Sequence, residues 1–441
     1  MKLLAFVLIS FVTLQAQESL PHYFEEGKIQ GHIRNYFMTT NNHGLSNHYA
    51  NATGGLIGYT TKEYKGFELG VSGVLTFKTF GDNMNTVDTV TGKSSKWERE
   101  LFDLNDLGNY YNLYRLESLY LKYRYKHSYI SVGRLPLEFH PLINKSDGRM
   151  VDFAFQGINC FITIDSTLKV NTVLLNRVSP RAMPKWYSPN EVIGLLNNGY
   201  LPDGTKADYS ELTKANIVAY AGVEKTAGKL KLNFWDTHID KLLNTLWAEA
   251  LYNSDLLSAG LQYSYQIPYA YQKNVPYANR YIQPGENGQI ASTMIKYKTT
   301  RFEAVVAFTK AFNTGRYLFP RELGRDQFYT SLPRSRIEGL GNSNIVKLGL
   351  QYTFPIQQLT TGIDATAVNG PGVLNYSLNK YGLDDYYQIN SKIHYSFKGF
   401  FKGLDVTLLY IWKQNKNLHT PADVINISDY SQVNLISNFN F

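Results

Sequence analysis

The sequence is poor in three features that commonly identify a class of protein. It has one cysteine, Cys160, among 441 residues, so no internal disulfide can form and a disulfide-stapled secreted domain is excluded. After a short apolar start it contains no long apolar run, and its mean hydropathy is negative. Its net charge is +8, but the lysines and arginines form no block, which argues against a nucleic-acid partner.

The first residues have the pattern of a secretion signal. Lys2 precedes an apolar run over 3–12, and Leu14-Gln15-Ala16 ends in the small residue that signal peptidase requires. The run is too short to cross a bilayer as a helix, which argues against an anchor. We therefore expect a signal peptide over 1–16, with residues 17–441 forming a single exported domain.

Alternation of apolar and polar residues recurs along the rest of the chain, and aromatic residues make up 14% of it. Val346, Leu348 and Leu350 alternate with Lys347 and Gln351, which is the period of a β-strand with one apolar face. The pattern predicts about 18 strands of a length that can cross a membrane obliquely. We place them near 28–40, 51–63, 66–79, 112–126, 128–135, 151–165, 167–178, 215–225, 228–238, 242–253, 256–267, 289–298, 301–311, 344–354, 357–368, 386–397, 402–413 and 429–441.

The connections between these strands alternate between short turns and long loops. Long connections cover about 80–111, 136–150, 179–214, 268–288, 312–343, 369–385 and 414–428, whereas one expected long connection, at 237–241, is brief. Short periplasmic turns and long extracellular loops are typical of outer-membrane barrels, in which an apolar outer face surrounds a polar lumen. The sequence therefore predicts an all-β fold, a transmembrane antiparallel up-and-down β-barrel, in the outer membrane of a Gram-negative bacterium.

The last strand supports the same prediction. Val433, Leu435, Phe439 and Phe441 share one face, and Phe441 is the terminal residue. An apolar alternating strand with a final aromatic residue resembles the signal that the barrel-assembly machinery reads. We therefore expect that machinery, together with outer-membrane lipid and lipopolysaccharide, among the partners.

Three groups of short motifs resemble the OprD family of outer-membrane porins. They are 27–37 with Tyr64-Lys65-Gly66-Phe67; Val132-Gly133-Arg134 with Asp147-Gly148-Arg149-Met150 and Phe155-Gln156-Gly157; and Glu322-Leu323-Gly324-Arg325-Asp326 with Pro333-Arg334 and Gly339-Leu340-Gly341-Asn342. The resemblance implies an 18-stranded single-chain barrel, present as a monomer or loose trimer. It also implies passive uptake of small solutes, such as amino acids or organic acids, through a pore narrowed by the third and seventh loops. The long second loop and nearly absent fifth loop depart from the family, so no solute is transferred.

Strand parity assigns an excess of basic residues to the inner face. The inward cations are Arg34, Lys122, Arg124, Lys169, Arg177, Lys231, Arg301, Lys347 and Lys392, and the inward acids are Glu68, Glu249 and Glu303. A lumen with this excess would concentrate anions, and arginine can hold a carboxylate through two hydrogen bonds. Pairing of individual cations with neighbouring acids is the alternative. The candidate constriction loops add Arg134, Arg149, Arg316, Arg321, Arg325, Arg334 and Arg336, although exposed loop charge is ordinary and lipopolysaccharide phosphates could account for part of it.

Two other functions remain open at this point. Long aromatic-rich loops, such as those containing Trp186-Tyr187 and Tyr269-Ala270-Tyr271, would suit an adhesin or structural barrel that binds a surface partner. An enzyme is less favoured, because no Ser/His pair lies in a catalytic motif and the early histidines lack the spacing of a metal site. We expect no cofactor and no metal, and we favour a channel for anionic or carboxylate-bearing solutes.

Overall fold

A computed structural model describes residues 20–137, 140–145, 149–356, 358–417 and 427–441. The expected signal peptide lies outside these residues. In the described part, eighteen antiparallel strands form one sheet. They are β1 Lys28–Asn42, β2 His48–Thr60, β3 Phe67–Gly81, β4 Leu113–Tyr125, β5 Ser128–Leu135, β6 Ala154–Thr163, β7 Leu168–Ser179, β8 Val218–Ala227, β9 Leu230–Ile239, β10 Leu243–Asn253, β11 Leu257–Pro268, β12 Gln289–Lys298, β13 Phe302–Ala311, β14 Ser343–Thr353, β15 Leu359–Asn369, β16 Tyr386–Ser396, β17 Leu404–Asn415 and β18 Tyr430–Asn440.

The sheet closes into a barrel. Each strand pairs with the next along the chain, and β18 pairs with β1 from His32–Asn440 to Asn42–Tyr430. Closure leaves no strand edge with unpaired backbone groups, which is what a sheet needs inside a lipid bilayer. The predicted transmembrane β-barrel of 18 strands is therefore confirmed.

The outer wall of the barrel is apolar. On β14, Val346, Leu348, Leu350 and Tyr352 are all exposed on this face, whereas Lys347 between them points inward. Large exposed apolar side chains of this kind occur on every strand from β1 to β18. Exposed apolar side chains are favourable only where lipid replaces water, so this face is the one that contacts the membrane.

The connections that follow the odd-numbered strands lie together at one end of the barrel, and we number these loops L1 to L9. They are L1 43–47, L2 82–112, L3 136–153, L4 180–217, L5 240–242, L6 269–288, L7 312–342, L8 370–385 and L9 416–429. All except L1 and L5 are long. Helices are short: α1 Leu20–Glu25, α2 Pro189–Val192 and the 3-10 helices Glu98–Leu101, Ala270–Asn274, Tyr277–Asn279 and Gly399–Phe401. None of the helices in the described segments is long and apolar enough to cross a bilayer.

Two hydrophobic clusters fill the loop end of the interior. The larger joins inward residues of β6 to β16 to buried residues of L3, L4, L6 and L7, such as Ile143, Val192, Ile282 and Leu323. The smaller joins β1 to β4, β17 and β18 to L2, through residues such as Trp97 and Phe102. The described parts of L2, L3, L4, L6 and L7 therefore fold into the barrel.

Candidate functional site

Loops L3 and L7 meet inside the barrel. The Arg325 backbone N–H donates to the Leu142 carbonyl at 3.0 Å, and the Asn144 amide donates to the Arg325 carbonyl at 2.7 Å. Gly324 lies at this crossing with φ +152, and a Cβ there would stand 2.1 Å from the Leu142 oxygen. A side chain at position 324 would therefore push the two loops apart.

Each of these loops is also fixed to the inner wall. In L3, His140 Nδ1 accepts the backbone N–H groups of Leu142 and Ile143 at 3.1 and 3.0 Å, and Nε2 contacts the Thr237 hydroxyl of β9. Burial lowers the pKa of His140 to about 3, so the ring stays neutral. Because Nδ1 accepts two hydrogen bonds, the single ring proton is on Nε2, which donates it to the Thr237 hydroxyl. In L7, the Tyr329 hydroxyl donates to the Glu249 carboxylate of β10 at 2.9 Å.

Loop L2 enters the lumen as well, which the sequence did not predict. Its 3-10 helix places Glu98 against β1, where the carboxylate accepts the hydroxyl groups of Thr40 and Ser95. Trp97 packs on Tyr430 of β18, with ring centroids 5.9 Å apart. From the sequence, the length of L2 was noted only as a difference from the OprD family. The closely spaced apolar residues Trp97, Leu101 and Phe102 could have indicated that this loop packs against a hydrophobic core.

Loops L2, L3, L4 and L7 enclose a basic cavity of about 140 Å³, which we call the chamber. Of the described residues that line it, nine are cationic and one, Glu100, is acidic. The cations are Lys96, Arg99, Arg149, Arg181, Arg321, Arg325, Arg334, Arg336 and, from strand β17, Lys413. Five of the constriction-loop arginines singled out in the sequence thus converge on one space: Arg149, Arg321, Arg325, Arg334 and Arg336.

Neutral oxygens accept hydrogen bonds from two of these arginines, Arg334 and Arg325. Arg334 donates to the Gln432 and Asn434 side chains of β18 at 2.7 and 3.2 Å. Arg325 donates to the Leu332 and Ser335 carbonyls. Hydrogen bonds to carbonyl and amide oxygens satisfy donor geometry without supplying a counter-charge. Among the lining residues that the structure describes, cations outnumber acids.

Acidic partners exist at two points of the chamber. Glu100 accepts from Arg149 of L3 and from Arg181 of L4, the latter at 2.7 Å, and so joins three loops. Arg321 is paired with Glu338 at 2.8 Å, and its guanidinium lies 3.6 Å from the centre of the Tyr381 ring. These contacts hold L2, L3 and L4 to one another and fix Arg321 within L7.

The protonation equilibria in the chamber show that its charges are crowded. Burial, followed by repulsion from Arg321, lowers the pKa of Arg336 to about 9. Burial, again followed by Arg321, lowers the pKa of Lys96 well below its usual value. An anion in the chamber would relieve this repulsion and favour the charged form of both side chains.

The lower half of the lumen contains most of the predicted wall cations, and many of them are paired. Lys122 contacts Glu68 at 2.7 Å and Arg124 contacts Glu63 at 3.2 Å. Lys169 and Lys231 share Glu224 at 3.5 and 2.7 Å, and Lys347 lies 3.6 Å from Asp364. This corrects the predicted acid count, because Glu224 and Asp364 also face inward, on strands next to the lysines. Within the described residues, the excess of positive charge lies in the chamber more than on the wall.

Arg34 and Lys392 also face the lumen. Arg34 donates to the Asn438 side chain at 2.6 Å and to the Arg149 carbonyl, so it links β1 to L3. Lys392 lies on the inward face of β16 and, within the described residues, forms no ion pair. Arg301 was predicted to begin the strand 301–311 and to face the lumen, but the strand begins at Phe302 and Arg301 is exposed in the short turn between β12 and β13.

Two of the predicted residues face away from the pore. The register between β6 and β7 shifts after Leu175, which opposes Gly157, so that Arg177 opposes Gln156. Leu175 and Val178 are both fully buried on the inner side, so this β-bulge places Arg177 on the outer face. Arg134 opposes Gln156 from the other side and shares that face. The assignment of Arg177 to the lumen by parity, and of Arg134 to the constriction, is thereby corrected.

Arg316 of L7 forms an ion pair with Glu286 of L6 at 2.6 Å and does not line the chamber.

The fold and the chamber define a closed membrane barrel with loops folded into its lumen, and the comparisons agree with this class. No protein-family model matches the sequence, and no curated protein matches it either. Among solved structures, OccK3 (OpdO) of Pseudomonas aeruginosa is 12% identical over 97% of this chain and 99% of its own, with a TM-score of 0.70. OccAB2 of Acinetobacter baumannii is 15% identical over 95% of this chain and 98% of its own, with a TM-score of 0.72.

A third match has a ligand in its description. OpdK of Pseudomonas aeruginosa, solved with vanillate, is 15% identical over 95% of this chain and 99% of its own, with a TM-score of 0.69. At such identities the likeness establishes the fold. It confirms, at the level of the fold, the resemblance to OprD-type porins.

Proposed function

We propose that this protein is an outer-membrane channel for the passive uptake of small anionic solutes, carboxylates in particular. The observation that carries the proposal is the chamber, a narrow space between packed loops that, among the described residues, nine cations and one acid line. A charged constriction with low-dielectric walls focuses the field and raises the local concentration of the opposite ion. A polyvalent wall of arginines also offers the paired N–H donors that a carboxylate accepts.

Three further features support a channel. The barrel has the fold of the Occ and Opd proteins, and one of those was solved with vanillate, a carboxylate. Below the chamber the lumen widens into a cavity of about 510 Å³ whose wall includes Gln30, Glu117 and Lys145. A second cavity of about 320 Å³ lies against Lys169, Glu224 and Lys231. A solute leaving the chamber would thus enter polar space on the turn side.

The direct test is the charge selectivity of the purified protein in a planar bilayer. Arg99 and Arg336 line the chamber and, within the described residues, neither forms an ion pair with an acidic side chain. The double variant R99Q/R336Q should therefore lose chamber charge with little change in loop packing. We expect the wild-type reversal potential under a salt gradient to show anion preference and the variant to show clearly less.

A matched control removes the same charge elsewhere in the loops. Lys206 of L4 and Lys273 of L6 are exposed and lie outside the chamber, so K206Q/K273Q should keep the wild-type selectivity. A wild-type pore that is neutral or cation-selective would contradict the proposal. Equal losses in the two double variants would place the selectivity in the total loop charge and not in the chamber.

A further inference from the structure

The outer wall carries a polar row next to its apolar band. Across β5, β6 and β7, the register places three outward residues side by side: Arg134, Gln156 and Arg177. One step toward the turn end, the outward row is apolar: Val132, Ile158 and Leu174. All three apolar side chains are exposed on the lipid-facing side. The two arginines therefore lie where the apolar belt ends, on the loop side of the barrel.

Both arginines are held at this boundary by local structure. The bulge in β7 turns Arg177 outward, and its side chain is exposed. Arg134 donates to the Leu116 carbonyl at 2.9 Å, and its guanidinium lies 4.6 Å from the centre of the Trp186 ring. Stacking of an arginine on tryptophan orients the planar guanidinium, and tryptophan is itself enriched at the membrane interface.

The charges in this row repel each other. Two strand spacings separate β5 from β7, roughly 10 Å, and the uncharged Gln156 lies between the arginines. Glu191 is close enough to Arg177 to interact with it, but its carboxylate caps helix α2 through the Ser188 N–H at 2.7 Å and the Ser188 hydroxyl. Like charges on neighbouring positions are unfavourable unless an anion lies between them.

We propose that Arg134 and Arg177 bind a phosphate group of a glycolipid in the outer leaflet, lipopolysaccharide being the lipid of this chemistry. A phosphate oxygen accepts N–H donors from two guanidinium groups at once. The apolar row of Val132, Ile158 and Leu174 receives the acyl chains attached to that headgroup. A free phosphate would gain nothing from this row, so the adjacency of charge and lipid-facing side chains selects a lipid. The site is separate from the chamber and does not depend on transport.

The test measures lipid retention by the purified, folded barrel with native mass spectrometry. The probes are diphosphorylated lipid A and the same lipid after enzymatic removal of its phosphates. We expect the amount of diphosphorylated lipid A retained by R134Q/R177Q to be at least about tenfold lower than that retained by the wild type, since the variant loses both charge-assisted contacts to the phosphate. Dephosphorylated lipid A should bind the wild type as weakly as the diphosphorylated form binds the variant.

Controls separate this site from general charge and from misfolding. Lys229 and Lys402 are exposed cations at the turn end of the barrel, so K229Q/K402Q should retain the lipid as the wild type does. Unchanged single-channel conductance of R134Q/R177Q shows that the barrel is intact, and R177Q alone, at an exposed position, provides a milder variant with partial loss. Equal retention by wild type and R134Q/R177Q overturns the proposal. So does full displacement of lipid A by inorganic phosphate, which would reveal a simple anion site.

Discussion

At the scale of the residue, Glu100 differs from its nine cationic neighbours because it lowers the positive potential of the chamber and also links the loops around it. Its carboxylate is the acidic group among the described lining residues, and it contacts Arg149 and Arg181 from two different loops. It therefore both lowers the local positive potential and holds L2, L3 and L4 together. Removing the charge of Glu100 should therefore increase anion selectivity and, at the same time, weaken the packing of the loops.

Replacing Glu100 with glutamine tests these roles. E100Q keeps the size of the side chain and removes its charge, so we expect anion preference to rise above that of the wild type. Loss of two charge-assisted contacts should also cost about 1–3 kcal/mol of loop packing, seen as greater current noise. Reversal potential and noise analysis measure the two effects. A fall in anion preference would mean that the loop arrangement, more than the charge, determines selectivity.

Residues also mark the limit of prediction from sequence. Alternation assigned Arg177 to the lumen, and a single extra residue in β7 reversed that assignment. Nothing in the polar run at 176–177 signals a bulge, because a bulge is a property of pairing with β6 and not of one strand. The partners of Lys169 and Lys347 were missed for a related reason, since Glu224 and Asp364 lie on the neighbouring strands β8 and β15, and contact across strands depends on their register.

At the scale of the element, strands were predictable and loop paths were not. Each strand repeats the same period-two pattern, so the predicted and observed limits of β1, β5, β12 and β16 differ by at most two residues. The inward fold of L2 depends on contacts between Glu98 and Thr40 and between Trp97 and Tyr430, which are distant in sequence. The pattern of residues within one segment cannot predict such contacts.

Loop L7 is the element whose removal has the clearest expected effect. Deleting 322–336 removes three chamber arginines, Arg325, Arg334 and Arg336, together with the contact of L7 to L3. Because the space that L7 fills would open to water, single-channel conductance should rise several-fold while anion preference falls. Trimming 89–93, an exposed turn of L2, is the control and should leave conductance unchanged. An assembled L7 deletion with wild-type conductance would place the narrowest part of the path elsewhere.

At the scale of the whole molecule, the positive charge is divided unequally between the two halves of the lumen. The turn half contains neighbouring pairs such as Lys122 with Glu68 and Lys231 with Glu224, whose fields largely cancel. The loop half contains the chamber, where cations outnumber acids among the residues that the structure describes. Anion preference should thus arise over a short section near the loop end and should not build up along the full length of the barrel.

This distribution predicts how selectivity depends on salt. Mobile ions screen charge over about 10 Å at 0.1 M salt and about 3 Å at 1 M. A solute on the chamber axis interacts with several cations at 0.1 M salt but with few at 1 M. The anion preference of the wild type should therefore fall steeply as the salt concentration rises at a fixed ratio between the two sides of the bilayer. R99Q/R336Q should begin lower and fall less, and the two curves should approach each other near 1 M. Reversal potentials across that series measure both curves. Anion preference that is independent of salt would indicate discrimination by direct coordination inside the chamber, and the long-range field would then not be its cause.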